Sequence, residues 1–231
     1  MLRFFMIITV AALLSACATG RELSKSCSAL TSKAAVKTLS STVTVSLRTA
    51  DRHISGRGVM LYRRPDHLRL IILSPFGTTV MDTLVAGENI TIVYPATGVA
   101  YQGRIKDLPA KAGQRGFAML RWVLDSEPQS GSPADGVIGR TSVNGSLERI
   151  TLRDGLVVEK SLKSGELVSY RKYENLSNIC LPMELQMETA DGDRVKLNLE
   201  DPEANTELEL TAFTIRLQGL RLFPLSELKA Q

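Results

Sequence analysis

Val43-Thr44-Val45-Ser46-Leu47-Arg48 alternates apolar and polar residues without a break. A period of two puts Val43, Val45 and Leu47 on one face of an extended chain and Thr44, Ser46 and Arg48 on the other, which is the pattern of a strand buried on one side. The signal repeats downstream. Gly56 to Arg63 reads as a second strand, and Arg64-Pro65-Asp66 turns the chain because Pro fixes its own φ and lacks a donor. His67 to Leu73 carries Leu68, Leu70 and Ile72 on one side, and Ser74-Pro75-Phe76-Gly77 is the next turn. Thr79 to Val85 follows, then Gly87-Glu88-Asn89, then Ile90, Ile92 and Tyr94, then a short strand from Val99 to Gln102. Later, Ser146 to Leu152, Leu156 to Leu162 and Leu167 to Tyr173 are separated by Asp154-Gly155 and Ser164-Gly165, good hairpin turns. Leu181 to Thr189 alternates again, and Asp191-Gly192 leads into Val195, Leu197 and Leu199. A last apolar stretch runs from Leu208 to Leu217, and the tail carries Leu220, Leu222, Phe223 and Leu225. Connections this tight predict an antiparallel meander.

Two segments break the period. From about Leu23 to Leu39 the chain reads as a helix with a weak apolar side of Ala29, Leu30, Ala34 and Val36. Between Pro109 and Leu124 the helical period returns, with Phe117, Leu120 and Leu124 on one side, widened by Met119, Trp122 and Val123. Asp125 to Gly136, rich in Pro, Ser and Gly, reads as an exposed loop. An antiparallel sheet of about ten strands must curl or close. If it curls without closing, its concave face is apolar and needs a cover, and the helices are what can cover it. The fold class is therefore mainly β with α: a curved antiparallel sheet, an incomplete barrel, covered by one or two helices.

The N-terminus carries a different message. Met1-Leu2-Arg3 is a short positive start, and Phe4 to Leu14 is apolar apart from Thr9. A spanning helix needs about 20 such residues, so this run is the size of a signal-peptide core. It ends in Leu14-Ser15-Ala16-Cys17, which resembles the lipobox of bacterial lipoproteins. That resemblance implies a diacylglyceryl group on the Cys17 thiol, cleavage before it, and lipid chains that anchor the mature protein. Ala18 follows where an Asp would imply inner-membrane retention, so the outer membrane, on its periplasmic face, is the expected location. Residues 1–16 are then signal peptide, 17–28 a lipid-anchored tether, and 29–231 the domain.

The formal net charge is +4, from 28 basic and 24 acidic residues, too evenly mixed for a nucleic-acid surface. Besides Cys17 there are Cys27 and Cys180. In an oxidising compartment such a pair can form a disulfide; two separate thiols are the alternative, and sequence does not show whether they approach. His53 and His67 lack partners at metal-ligand spacing, Gly56-Arg57-Gly58 precedes no helix, and no paired carboxylates stand out in a setting that would tune them. No metal, cofactor or catalytic set is expected.

Several stretches together resemble the LolA/LolB lipoprotein-carrier family, LolB in particular. They are Gly58-Val59-Met60-Leu61-Tyr62, His67-Leu68-Arg69-Leu70, Ser74-Pro75-Phe76-Gly77-Thr78-Thr79, Leu120-Arg121-Trp122-Val123-Leu124, and Leu181-Pro182-Met183-Glu184-Leu185 with Asp191-Gly192 and Val195-Lys196-Leu197. They cover most of residues 40–200, and the segment after 201 departs from the pattern. The resemblance implies a half-barrel over residues 29–231 whose cavity takes the acyl chains of other lipoproteins. It implies a periplasmic LolA-like carrier as donor, outer-membrane lipid as destination, and a monomer that is not an enzyme. A structural or assembly lipoprotein that uses the fold as a docking surface is the alternative.

Acyl chains need an adaptable apolar wall, and Met side chains repack easily. Met60, Met81, Met183 and Met187, with Phe117 and Trp122 from the second helix, are the candidates for cavity or lid; each could equally be packed core. Pro75-Phe76-Gly77 is the candidate membrane-insertion loop. Turn tips are usually polar, so an aromatic there marks either a contact with membrane or partner, or a plug folded back under the sheet.

Overall fold

The computed structural model describes residue 27 and residues 35–49, 53–109, 115–128, 131–142 and 145–228, with the backbone alone at 115–118. These residues form β1 (Thr38–Arg48), β2 (His53–Arg63), β3 (His67–Leu73), β4 (Thr79–Ala86), β5 (Asn89–Tyr94), β6 (Val99–Arg104), α1 (Arg115–Leu124), β7 (Gly136–Thr141), β8 (Leu147–Arg153), β9 (Leu156–Leu162), β10 (Leu167–Leu176), β11 (Ile179–Glu188), β12 (Arg194–Ala204) and β13 (Arg221–Pro224). All thirteen strands belong to one sheet in the order β13-β6-β5-β4-β3-β2-β1-β12-β11-β10-β9-β8-β7. Two meanders, β1 to β6 and β7 to β12, are thus sewn together where β1 meets β12, with Val43 opposite Leu199 and Val45 opposite Leu197. The outermost strands β13 and β7 do not pair with each other, so the sheet is curved and open.

The alternation seen in the sequence is the alternation of burial. Along β1, Leu39, Val43 and Val45 are buried and their neighbours half-exposed. Met60 and Tyr62 on β2, Leu68 and Leu70 on β3, Ile150 and Leu152 on β8, Val168 and Tyr170 on β10, and Leu185 and Met187 on β11 share one apolar cluster with Leu120, Trp122 and Val123 of α1. The core is therefore the inner face of the sheet closed by the helix, and its buried apolar area is the main stabilising term.

Several expectations need correction. Thr38 and Leu39 open β1 and are not the end of a helix; the rest of that proposed helix lies outside the described residues except Cys27, Ala35, Val36 and Lys37, which are not helical. Leu39 and Ser41 extend the inward face of β1, and pairing with β2 and β12 on both sides outweighs a weak helical preference. Among the described residues α1 is the one α-helix. Among the described residues the strands number thirteen and not about ten, because Gly136–Thr141, interrupted by glycine, and the four-residue Arg221–Pro224 carry no alternation long enough to read. The meander is also not wholly antiparallel, since β13 lies parallel to β6.

The segment after 201 straps the outer face of the sheet. Phe213 is buried in a single 3-10 turn, Leu210–Phe213, edge-on to His67 at 5.6 Å between ring centroids and 4.7 Å beneath the Arg63 guanidinium. Arg69 holds this turn by donating to the Ala212 carbonyl at 2.8 Å while forking onto both Asp82 oxygens at 3.0 and 2.7 Å. His67, at the start of β3, is half-buried and bonded to Asp66 at 2.8 Å. After β13 the chain turns inward and buries Leu225 against Gly103. A Cβ at Gly103 would stand 2.7 Å from that of Leu225, so only glycine permits this closure. Gly103→Val is expected to lower stability by about 1–3 kcal/mol through overpacking. Urea unfolding should show Leu225→Gly costing less in the Gly103→Val background than alone, and strict additivity would refute the contact.

Candidate functional site

The β3–β4 turn is built from its own backbone outward. Ser74 N–H donates to the Thr78 carbonyl at 2.8 Å, and Gly77 N–H to the Ser74 carbonyl at 2.9 Å. The Ser74 hydroxyl oxygen accepts from Phe76 N–H and Thr78 N–H, each at 3.2 Å, and meets the Thr78 hydroxyl at 2.8 Å. Gly77 supplies the left-handed φ of 79° that closes the turn. The amides of Ser74, Phe76, Gly77 and Thr78 are all satisfied within the turn, and Phe76 is lifted off it with 93% of its surface exposed. Phe76 is thus an external tip and not a plug. A tip whose amides are already bonded can leave water at low cost, because unpaired polar groups are what make that transfer expensive.

Register places other features at the same end of the strands. Arg57 of β2 pairs with Leu73, so Ile54 lies beyond the end of β3 toward the Phe76 turn. Ile54 is 51% exposed and Val80, just past the turn, 46%. This end of the sheet thus carries exposed Ile54 and Val80 as well as the Phe76 turn, together with Arg48, His53 and Arg194.

The other part of the site is the seat of α1. The last carbonyls of a helix have no partner within it. Here the sheet provides them: Lys160 Nζ of β9 donates to the carbonyls of Trp122 at 2.6 Å and Asp125 at 2.8 Å, and Tyr170 of β10 donates to that of Val123 at 2.7 Å. A cation also suits the negative end of the helix dipole. Trp122 is fully buried, donates its indole N–H to Glu148 at 2.5 Å, and carries the Lys160 ammonium 4.9 Å from its ring centroid. Arg140 bridges Glu148 at 2.5 Å and Asp125 at 2.7 Å. Arg64 reaches Asp125 at 3.2 Å and Glu127 at 3.0 Å, and Glu127 accepts Val36 N–H at 2.5 Å.

Three carboxylates (Asp125, Glu127, Glu148) therefore face three cations (Arg64, Arg140, Lys160) beneath the end of the helix. Burial lowers the Lys160 ammonium to about 8 against the pull of Glu148 and Asp125, and burial raises Glu127. This network leaves no local mark in the chain. Its members are scattered over a turn, three strands and the stretch expected to be an exposed loop, where Asp125 is in fact buried. Paired carboxylates do exist, but each is answered by a cation, an arrangement suited to holding α1 and not to moving protons.

The remaining candidates divide. Met60, Trp122 and Met187 are buried in the central cluster, and Met81 and Met183 pack against it half-buried. The Phe117 side chain and Cys17 lie outside the described residues. Cys27 and Cys180 come together: their thiols are hydrogen-bonded to each other and not covalently joined.

A family model described as outer membrane lipoprotein LolB matches residues 38–201, which run from the first residue of β1 into β12 and include α1. Among curated proteins none matches the sequence. Among solved structures, a DUF1329 family protein from Desulfovibrio piger is similar with a TM-score of 0.55 and 12% identity over 78% of this chain and 90% of that one. A LolA superfamily protein from Nitrosomonas europaea gives 0.50 and 14% over 80% and 93%. At such identities the likeness is one of fold. The matched region ends before the outer strap and β13.

Proposed function

The chain belongs to the LolB family of outer-membrane lipoproteins, and from that premise we propose that it receives the acyl chains of other lipoproteins between sheet and helix and helps insert them into the outer membrane. The observation that carries this reading is Phe76, almost fully exposed on a turn whose amides are already bonded. Cys17 carries the lipid that anchors the protein, residues 1–16 are removed, and residues 17–28 are the tether. A LolA-like periplasmic carrier delivers the cargo to a monomer.

The central cluster offers the binding surface. Met60, Met81, Met183, Met187 and Trp122 line one apolar layer, and each buried methylene of an acyl chain contributes roughly 0.8 kcal/mol. In the closed form Trp122 fills that layer, so α1 must shift for chains to enter. Its seat is suited to this, being made of polar bonds at one end of the helix.

Trp122 is the one tryptophan in the chain, which makes the test direct. A soluble form lacking residues 1–17 is titrated with a triacylated lipopeptide while indole emission is followed. The expected result is a saturable change in Trp122 emission, with acylated material copurifying by mass spectrometry. Neither effect with the triacylated peptide, or an equal effect with its unacylated counterpart, would overturn the proposal and favour a docking protein with a filled core.

A further inference from the structure

We propose that Cys27 and Cys180 are oxidised to a disulfide in the exported protein, and that this bond sets the working length of the lipid tether. Cys180 is the second residue of β11, opposite Asn175 across the β10–β11 hairpin. Cys27 belongs to the chain between the anchor and β1, yet its thiol is hydrogen-bonded to that of Cys180 in the sheet. Both are half-buried. Two thiols brought within hydrogen-bond reach of each other by the fold meet the first requirement of a disulfide, that the side chains approach.

The placement also has a length. β11 runs from Cys180 to Glu188, and Glu188 pairs with Arg194, which in turn pairs with Arg48. That is the end of the sheet that bears the Phe76 turn. Eight residues of strand span about 27 Å. The ten residues from Cys17 to Cys27 reach at most about 36 Å when fully extended. With the bond closed, the anchor just reaches past the length of β11, so lipid and Phe76 meet the same leaflet. With the bond open, the next described residue held is Ala35, whose carbonyl accepts from the Asn205 side-chain amide, just after β12, at 2.9 Å, and the eighteen residues from Cys17 reach roughly 65 Å when fully extended. The tether claim rests on the lipidated Cys17 proposed above; the bond itself does not.

The chemistry balances as thiol–disulfide exchange. A donor disulfide is attacked by one cysteine, and the second displaces the donor. Two protons and two electrons leave the protein, and the donor departs as two thiols. Burial, the bond to Cys180 and the charges of Cys180 and Glu174 push the Cys27 thiol up to about 12. Attack by Cys27 itself is therefore slow, since the thiolate is the reactive form, and the donor is a disulfide-bearing oxidase of the export compartment.

The test uses the full-length exported protein, with cells quenched in acid and then alkylated. The expected product is a linked peptide pair containing Cys27 and Cys180 that separates on reduction with dithiothreitol. Both thiols alkylated before reduction would overturn the bond. Neutron reflectometry of the lipidated protein on a supported bilayer then reads the tether. Reduction should move the domain outward by more than about 10 Å in the parent protein and not in the Cys27→Ser/Cys180→Ser variant. An unchanged layer with the bond demonstrably reduced overturns the tether claim. A linked pair found in protein without lipid on Cys17 overturns the anchor and leaves the bond standing.

Discussion

Phe76→Glu is expected to leave the fold intact and to reduce lipoprotein delivery about ten- to a hundredfold. The side chain is 93% exposed, so the substitution removes no packing, and such surface changes usually shift stability by no more than about 0.5 kcal/mol. What it removes is the transfer of an aromatic side chain into an apolar medium, about 1.5–3 kcal/mol for full burial, replaced by a carboxylate that resists dehydration. Each 1.4 kcal/mol is about a tenfold change in an equilibrium. Delivery is measured in a strain depleted of its own receptor, with thermal unfolding of the purified variant alongside. Phe76→Leu should keep most of the function, because an apolar tip remains on the same bonded turn. Normal delivery by Phe76→Glu would sink the membrane-contact role.

The same substitution separates two steps. The tip lies outside the apolar cluster, so Phe76→Glu should still bind a triacylated lipopeptide with the parent's change in Trp122 emission. Uptake retained with delivery lost would place Phe76 at release. Loss of both would mean that the tip acts on the carrier or cargo before the chains enter.

The sheet was legible because burial along its strands follows a period of two, and β1 shows why. Leu39, Val43 and Val45 face the core while polar neighbours face water, so composition and position report the same fact. The turns were legible for a related reason: Pro65, Gly77, Gly87 and Gly192 mark sites where backbone geometry restricts the residue. β13 was not legible, since four residues joining parallel to β6 leave no alternation long enough to read. The outer strap hid for a similar reason. Phe213 is buried against Arg63 and His67, and nothing local distinguishes it from Phe76, an aromatic in an irregular segment with the opposite fate. The ion network was illegible because charge pairing between Asp125, Arg140, Glu148 and Lys160 exists only after three separate parts of the chain have met. The helical spacing put Trp122 on the apolar side of α1, where it is buried, but nothing local showed what anchors it.

Glu148→Ala is expected to cost about 3–5 kcal/mol of folding stability, a large share of the about 5–15 kcal/mol typical of a domain. The Glu148 side chain has no exposed surface, accepts from Trp122 and Arg140 at 2.5 Å each, and lies 3.6 Å from Lys160. Truncation strands the Trp122 N–H and leaves Lys160 charged, buried and short of its nearest carboxylate. Glu148→Gln should cost less, because an amide oxygen can still accept from the indole. Burial already holds the folded Lys160 near 8 against an ordinary 10.5. Between those values the unfolded chain binds more protons than the folded one, so this group's contribution makes stability rise with pH across that window. Losing Glu148 lowers the folded value further. Between that lower value and about 8 only the variant gains stability as pH rises, so its handicap narrows there and levels off above about 8. Urea midpoints for the parent and Glu148→Ala, read by Trp122 emission at pH 6.5, 8.5 and 10, should therefore draw together between pH 6.5 and 8.5 and change little from 8.5 to 10. Lys160→Met in the Glu148→Ala background should recover part of the loss at pH 6.5. A deficit that is constant with pH and unrelieved by Lys160→Met would mean that Glu148 acts through Trp122 alone.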